Sequence, residues 1–192
     1  DTEDKIGNSY SKKNEEAFKE FKPLRIGKIF EILILSGEFP PVVWKDLYPK
    51  IKEKAGEGAL IEIITGPIFF IENKEYLEGF IEGKIRFYTL PERPKEPHFT
   101  IFGDEKIIFH TAPLPLLLKG EKNILGESKD KKIIKVAREI FEEYKAKSRP
   151  FSPLNVSFFN HTEKRPATEN EIREILQLFK LSEEEIESII KL

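Results

Sequence analysis

The chain has 192 residues, 32 of them basic and 34 acidic, for a formal net charge of −2, and 39% are apolar. That apolar share supports a packed core and excludes a disordered chain, and the near-neutral total excludes a protein that is basic throughout. Cysteine is absent, which removes disulfides, zinc–thiolate centres and cysteine nucleophiles.

No apolar run reaches the ~18 residues that span a bilayer. Asp1 to Tyr10 is polar and lacks the apolar stretch of a signal peptide, so a cytoplasmic location is the expectation. Lys and Glu dominate the charge and Gln177 is the only glutamine. This bias fits a heat-adapted source, although an AT-rich genome enriches the same residues.

In chain order, Asn14 to Phe21 predicts two helical turns capped by Asn14. Lys28 to Ser36 is short, rich in Ile, Leu and Phe, and stopped by Gly37, which predicts a buried strand. Val42 to Ala55 carries Val43, Trp44, Leu47, Tyr48 and Ile51 at helical spacing. Ala59 to Thr65 predicts a second strand, Asn73 to Ile81 a short helix, and Lys84 to Leu90 an alternating third strand. This is the βαβ grammar of a parallel sheet with helices packed on it.

Beyond Pro97 the grammar changes. His98 to Phe102 and Lys106 to His110 flank Gly103-Asp104-Glu105 and predict a hairpin. Thr111 to Ser128 reads as a connection. Lys129 to Lys147 is the longest predicted helix, with Ile133, Val136, Ala137, Ile140, Phe141 and Tyr144 as its inward stripe. A short strand is expected at Asn155 to Phe159. Thr168 with Glu171, and Ser182 with Glu185, are capping boxes that open two small C-terminal helices. The expected units are an extension at 1–27, an α/β domain at 28–150, and a loop with a helical pair at 151–192.

Charge is unevenly placed. Residues 84–95 hold Lys84, Arg86, Arg93 and Lys95 against Glu92, whereas residues 168–192 hold seven Glu against three cations. The basic segment next to His98 suits an anionic ligand, or it is a solvated strand edge that resists sheet-to-sheet association. The acidic helices are a solvated face or a docking element for a protein partner.

The three histidines are His98, His110 and His161. A three-residue hairpin loop sets His98 opposite His110, and a two-residue turn sends them to opposite faces. Both registers remain open from sequence. No pair of ligand residues sits at helical i, i+4 spacing, so neither a metal nor a cofactor is expected.

The string Pro97-His98-Phe99-Thr100-Ile101-Phe102-Gly103-Asp104-Glu105-Lys106-Ile107-Ile108-Phe109 resembles a degenerate phospholipase D-like signature. That signature runs His-x-Lys, four residues, then Asp, on a hairpin after the third βα unit. The resemblance extends from about Lys28 to Tyr144. It retains His98, has Thr100 in place of Lys, and sets Glu105 at the acidic position with Asp104 just before it. His110-Thr111-Ala112-Pro113 stands where the family has its Gly-Ser and Asn. The resemblance implies an α/β fold with a mixed, mostly parallel sheet, plus a small helical C-terminal appendage.

In the family one His attacks phosphorus, a second protonates the leaving oxygen, and Lys residues hold the phosphoryl charge. Thr100 offers no charge, so the expectation is a non-catalytic member that binds nucleic acid or another phosphorylated ligand. His98, Thr100 and His110 would contact it, with Arg86, Arg93 and Lys95 nearby. The alternatives are an active phosphodiesterase that pairs two sites as a homodimer, with His98 catalytic, and a protein-interaction module that uses the C-terminal helices.

Overall fold

The computed structural model describes residues 15–20, 30–95, 98–110 and 125–192, without the side chains of His110 and Leu125. The expected cap Asn14, the first residues of the 28–36 strand and most of the 111–128 connection lie outside the described residues.

A helix, α1 (15–20), is followed by β1 (Glu31–Leu35), α2 (Pro41–Gly56), β2 (Leu60–Thr65) and β3 (Ile68–Phe70). A 3-10 turn (Ile71–Tyr76) leads into α3 (Leu77–Ile81), β4 (Arg86–Thr89), β5 (Phe99–Phe102) and β6 (Lys106–His110). Then come β7 (Leu125–Ser128), α4 (Lys131–Lys147), β8 (Arg149–Pro150), β9 (Ser157–Asn160), β10 (Arg165–Pro166), α5 (Glu169–Leu178) and α6 (Glu183–Ile190).

The main sheet has the order β7-β6-β5-β1-β2-β4-β8. The mixed α/β architecture is as expected, but the balance of directions is not. Only β1–β2 and β2–β4 are parallel; the four other ladders are antiparallel. Crossover helices are what permit parallel neighbours, and α2 and α3 supply them between β1, β2 and β4. β7 lies inside the stretch read as connection.

Alternation along the strands sends side chains to two layers. Ile32, Ile34, Ile61, Ile63 and Phe87 join Val43, Trp44, Leu47 and Ile51 of α2 in one buried cluster. Leu33, Leu35, Ile64, Phe99, Ile101 and Ile107 meet Ile134, Ala137 and Phe141 of α4 on the opposite face. Ala137, Ile140, Phe141 and Tyr144 of the expected stripe pack on this cluster, but the first turns of α4 differ from it. Ile134, not Ile133, turns inward, and Ile133 and Val136 are 46% and 55% exposed. The Arg138 guanidinium pairs with Glu31 and donates to Gly103 O at 2.7 Å, tying α4 to the hairpin tip.

The flanks share these layers. Phe18 of α1 meets Phe102 edge-on at 5.1 Å. Ile175 of α5 is fully buried in the α2-side cluster, so the helical pair expected as an appendage contributes to the common core. A small second sheet, β10-β9-β3, joins the C-terminal region to the segment after β2. Both predicted capping boxes are present. Glu171 also takes Arg165 Nη1 and Nη2 at 2.9 Å and Asn160 Nδ2 at 3.1 Å, which bolts α5 to β9 and β10.

The Arg165 guanidinium and the Thr168 N–H hold the Glu171 carboxyl down at about 2, against an ordinary 4.5. A carboxyl depressed by folding contributes stability that is complete above about 4.5 and disappears as pH falls toward 2. Thermal melts of Glu171→Gln should lie below wild type at pH 7, with the two curves converging as pH approaches 2.

Candidate anion-binding site at the carboxyl edge of the sheet

Parallel β1, β2 and β4 end at one edge, the usual position for a ligand crevice in an α/β sheet. Short bonds hold these ends together. Ser36 N–H donates to Ile64 O at 3.0 Å, Gly66 N–H to Gly37 O at 2.6 Å, and Leu90 N–H to Thr65 O at 2.8 Å. Asn73, read from sequence as a helix cap, is instead buried and donates Nδ2–H to Phe39 O at 2.8 Å, anchoring the loop after β1.

Arg93 lies across this edge. A Cβ placed on Gly37 would stand 2.5 Å from Arg93 Nε, and one on Gly66 would stand 3.3 Å from Arg93 Cα. Both glycines thus leave room for the arginine to lie flat on the backbone. Arg93 Nη2 pairs with Glu38 Oε2 at 3.4 Å. Burial pushes the Glu38 carboxyl above its ordinary value, partly offset by Arg93. Arg93 Nε is shielded from solvent with no acceptor among the described residues, and Thr89 Oγ1 is likewise buried and unmet. Unmet buried polar atoms are costly, about 1–3 kcal/mol each, and two at one edge call for a polar occupant.

His98 arrives at the same edge from β5. β5 runs antiparallel to β1 with Leu35 opposite Phe99, so the next step sets His98 beside Ser36. The hairpin takes the three-residue register, Phe102 opposite Lys106 and Phe99 opposite Phe109, with Gly103 at φ 54° in its turn. One further step brings position 110 opposite position 98; the His110 backbone pairs on its other side with Leu125. The ring of His110 lies outside the described residues. Thr100 is almost wholly buried between Ile34 of β1 and Ile108 of β6.

The basic residues separate. Arg93 belongs to the edge. Lys95 is exposed nearby, and its backbone N–H donates to Tyr144 Oη at 3.3 Å near the end of α4. Arg86 opens β4 and sits at the opposite end of that strand from Thr89, about 10 Å away at the rise of an extended chain, so it does not join His98. Two cations that sequence reading passed over do join the edge. Lys147 closes α4, and Arg149 opens β8 opposite Thr89. The signal that could have found them is the Lys-x-Lys-x-Arg spacing at the helix end. His161 is elsewhere, its ring against Phe70 at 4.8 Å. Among the described residues no group of three or more His, Asp or Glu could hold a metal ion, and no helix is long and apolar enough to cross a membrane.

With this geometry in hand, the chain has a mixed α/β sheet with helices packed on it, a fold it shares with solved structures. No protein-family model matches the sequence, and no curated protein matches it. Among solved structures, TrmBL2, an archaeal chromatin protein described as showing a novel mode of DNA binding, aligns with a TM-score of 0.56 and 19% identity. That alignment covers 74% of this chain and only 50% of TrmBL2, so the chain spans half of that relative. NucT from Helicobacter pylori aligns with a TM-score of 0.52 and 13% identity, over 76% of this chain and 92% of its own. Nuc from Salmonella typhimurium, a phospholipase D family member, aligns at 0.46 with 12% identity, over 71% and 87%.

The seat of Arg93 is directly testable. Gly37→Val should force the guanidinium off the edge and leave the core intact. A crystal structure of the variant should show Arg93 displaced with the sheet unchanged, whereas an unmoved guanidinium contradicts the close approach described.

Proposed function

We propose that this chain is a non-catalytic phospholipase D-like domain that binds the phosphates of nucleic acid at the carboxyl edge of its sheet. The observation that carries the proposal is the buried Arg93 Nε–H, which has no acceptor among the described residues, with the likewise unmet Thr89 hydroxyl at the same edge. A phosphate oxygen is an acceptor of the right charge for both. Thr100, held between two isoleucines inside the sheet, offers a developing phosphorane no cation, so binding without turnover follows. Lys95, Lys147 and Arg149 extend the positive charge along the same edge and suit a polyanion better than a single small phosphate. The DNA binding named for TrmBL2 supports nucleic acid as the polyanion.

A second reading, an active phosphodiesterase, is favoured by the register that brings positions 98 and 110 together. It requires a second site from a partner copy, because the chain carries one such set.

Fluorescence anisotropy with a labelled DNA duplex at several salt concentrations separates these readings. Arg93→Ala with Lys95→Ala should weaken binding about tenfold or more and lower the slope of log affinity against log salt by about 2. Wild type should leave bis(p-nitrophenyl) phosphate intact. Hydrolysis that vanishes in His98→Ala would establish the second reading, and DNA affinity indifferent to the double substitution would remove the first.

A further inference from the structure

Of the three basic residues expected near the ligand, Arg86 is the one that the carboxyl-edge site does not absorb. Its surroundings form a site of their own. β8 pairs with β4 at Tyr88 and Thr89, Phe151 N–H adds one more bond to Phe87 O at 2.8 Å, and the chain then departs at the start of β4. A cleft of about 530 Å³ opens there, within the size range of small-molecule pockets.

Its wall is aromatic. Phe87 and Phe151 stack at 4.9 Å with planes 11° apart, Phe151 and Phe179 stack at 6.0 Å, and Phe80 leans on Phe87 at 4.5 Å. Phe80, Phe151 and Phe179 are only partly buried although they pack on a closed core, and Ile81 at the mouth is 45% exposed. The cleft thus presents ring faces and edges to whatever enters it.

Its charge is single and uncommitted. Arg86 lines the cleft, is exposed, and makes no ion pair among the described residues. Its cross-strand neighbour Glu62 is buried and taken by Lys145 Nζ at 2.7 Å. Glu82, close to the mouth in sequence, pairs with Lys84 at 2.8 Å. One free guanidinium beside a stacked aromatic wall is complementary to a flat ring that carries one negative charge.

We propose that this cleft binds a small planar aromatic monoanion, its ring against the Phe87–Phe151–Phe179 stack and its acidic group on Arg86. The lining reaches Tyr88 and Pro150, next to the carboxyl edge, but Arg86 stands at the other end of β4, so the proposed contact does not depend on the phosphate reading.

The test uses 1-anilinonaphthalene-8-sulfonate, a fluorescent aromatic monoanion, and N-phenyl-1-naphthylamine, the same rings without the sulfonate. Wild type should bind the sulfonate saturably at one site. Arg86→Gln should weaken the sulfonate about tenfold or more and leave the neutral probe within about twofold. Ile81→Trp, which fills the mouth from an exposed position, should weaken both. A third variant guards against binding elsewhere. Val136→Lys charges the separate apolar groove between α4 and the β5–β6 hairpin and should change neither probe. The proposal is overturned by sulfonate binding that survives both cleft variants, by loss confined to Val136→Lys, by equal loss of both probes in Arg86→Gln, or by no saturable binding.

Discussion

The parallel pairing of β1, β2 and β4 is the constraint on which the rest of the molecule depends. Three strands running one way must all end at one edge, and the loops leaving them must crowd together there. Backbone bonds zip the crowd closed: Ser36 to Ile64, Gly66 to Gly37, Leu90 to Thr65. Two of those loop residues are glycine, and that alone lets Arg93 lie flat across them. Antiparallel β5 then brings His98 to the same edge from the other side. A site that combines the Arg93 guanidinium, the His98 imidazole and the Thr89 hydroxyl is thus a product of strand direction rather than of a contiguous motif.

The two faces of the sheet divide the work. The α2 face is closed by aromatics, with Trp44 and Tyr48 packed on Tyr76 and Phe80. The α4 face is held by fewer side chains and by ions. Lys145 reaches the buried Glu62 at 2.7 Å, and Arg138 ties α4 to β1 and to the hairpin tip. Removing Lys145 would strand the buried Glu62 carboxylate, which costs far more than the pair itself contributes. These ties fix where α4 ends, and so where Lys147 and Arg149 meet the edge.

Elements whose apolar spacing is dictated by burial on both faces were legible in the sequence. β1 and β2 are of this kind, and the one-sided apolar stripe of α2 was equally legible, its inward residues being those that periodicity selects. The capping boxes at Thr168 and Ser182 were legible because the hydrogen bonds are local. The first turns of α4 were not, since Ile133 and Ile134 are adjacent and equally apolar, and only the packing selects Ile134. β7, β8 and β10 escaped because strands of two to four residues are stabilised by their partners and not by their own composition. In the site, His98 and Arg93 could be named from sequence, but Arg86 could not be told from Arg93. Both are cations in one basic segment, and only the length of β4 puts them at opposite ends.

The account stands on one claim, that the guanidinium of Arg93 is an acceptor-seeking group built into the strand ends. A crystal of the protein soaked in a short oligonucleotide reads it out most directly. The account predicts a phosphate oxygen within hydrogen-bonding distance of both Arg93 Nε and Thr89 Oγ1, with the loops after β1, β2 and β4 unmoved. An oligonucleotide held elsewhere on the surface, with Arg93 still bound only to Glu38, would contradict it.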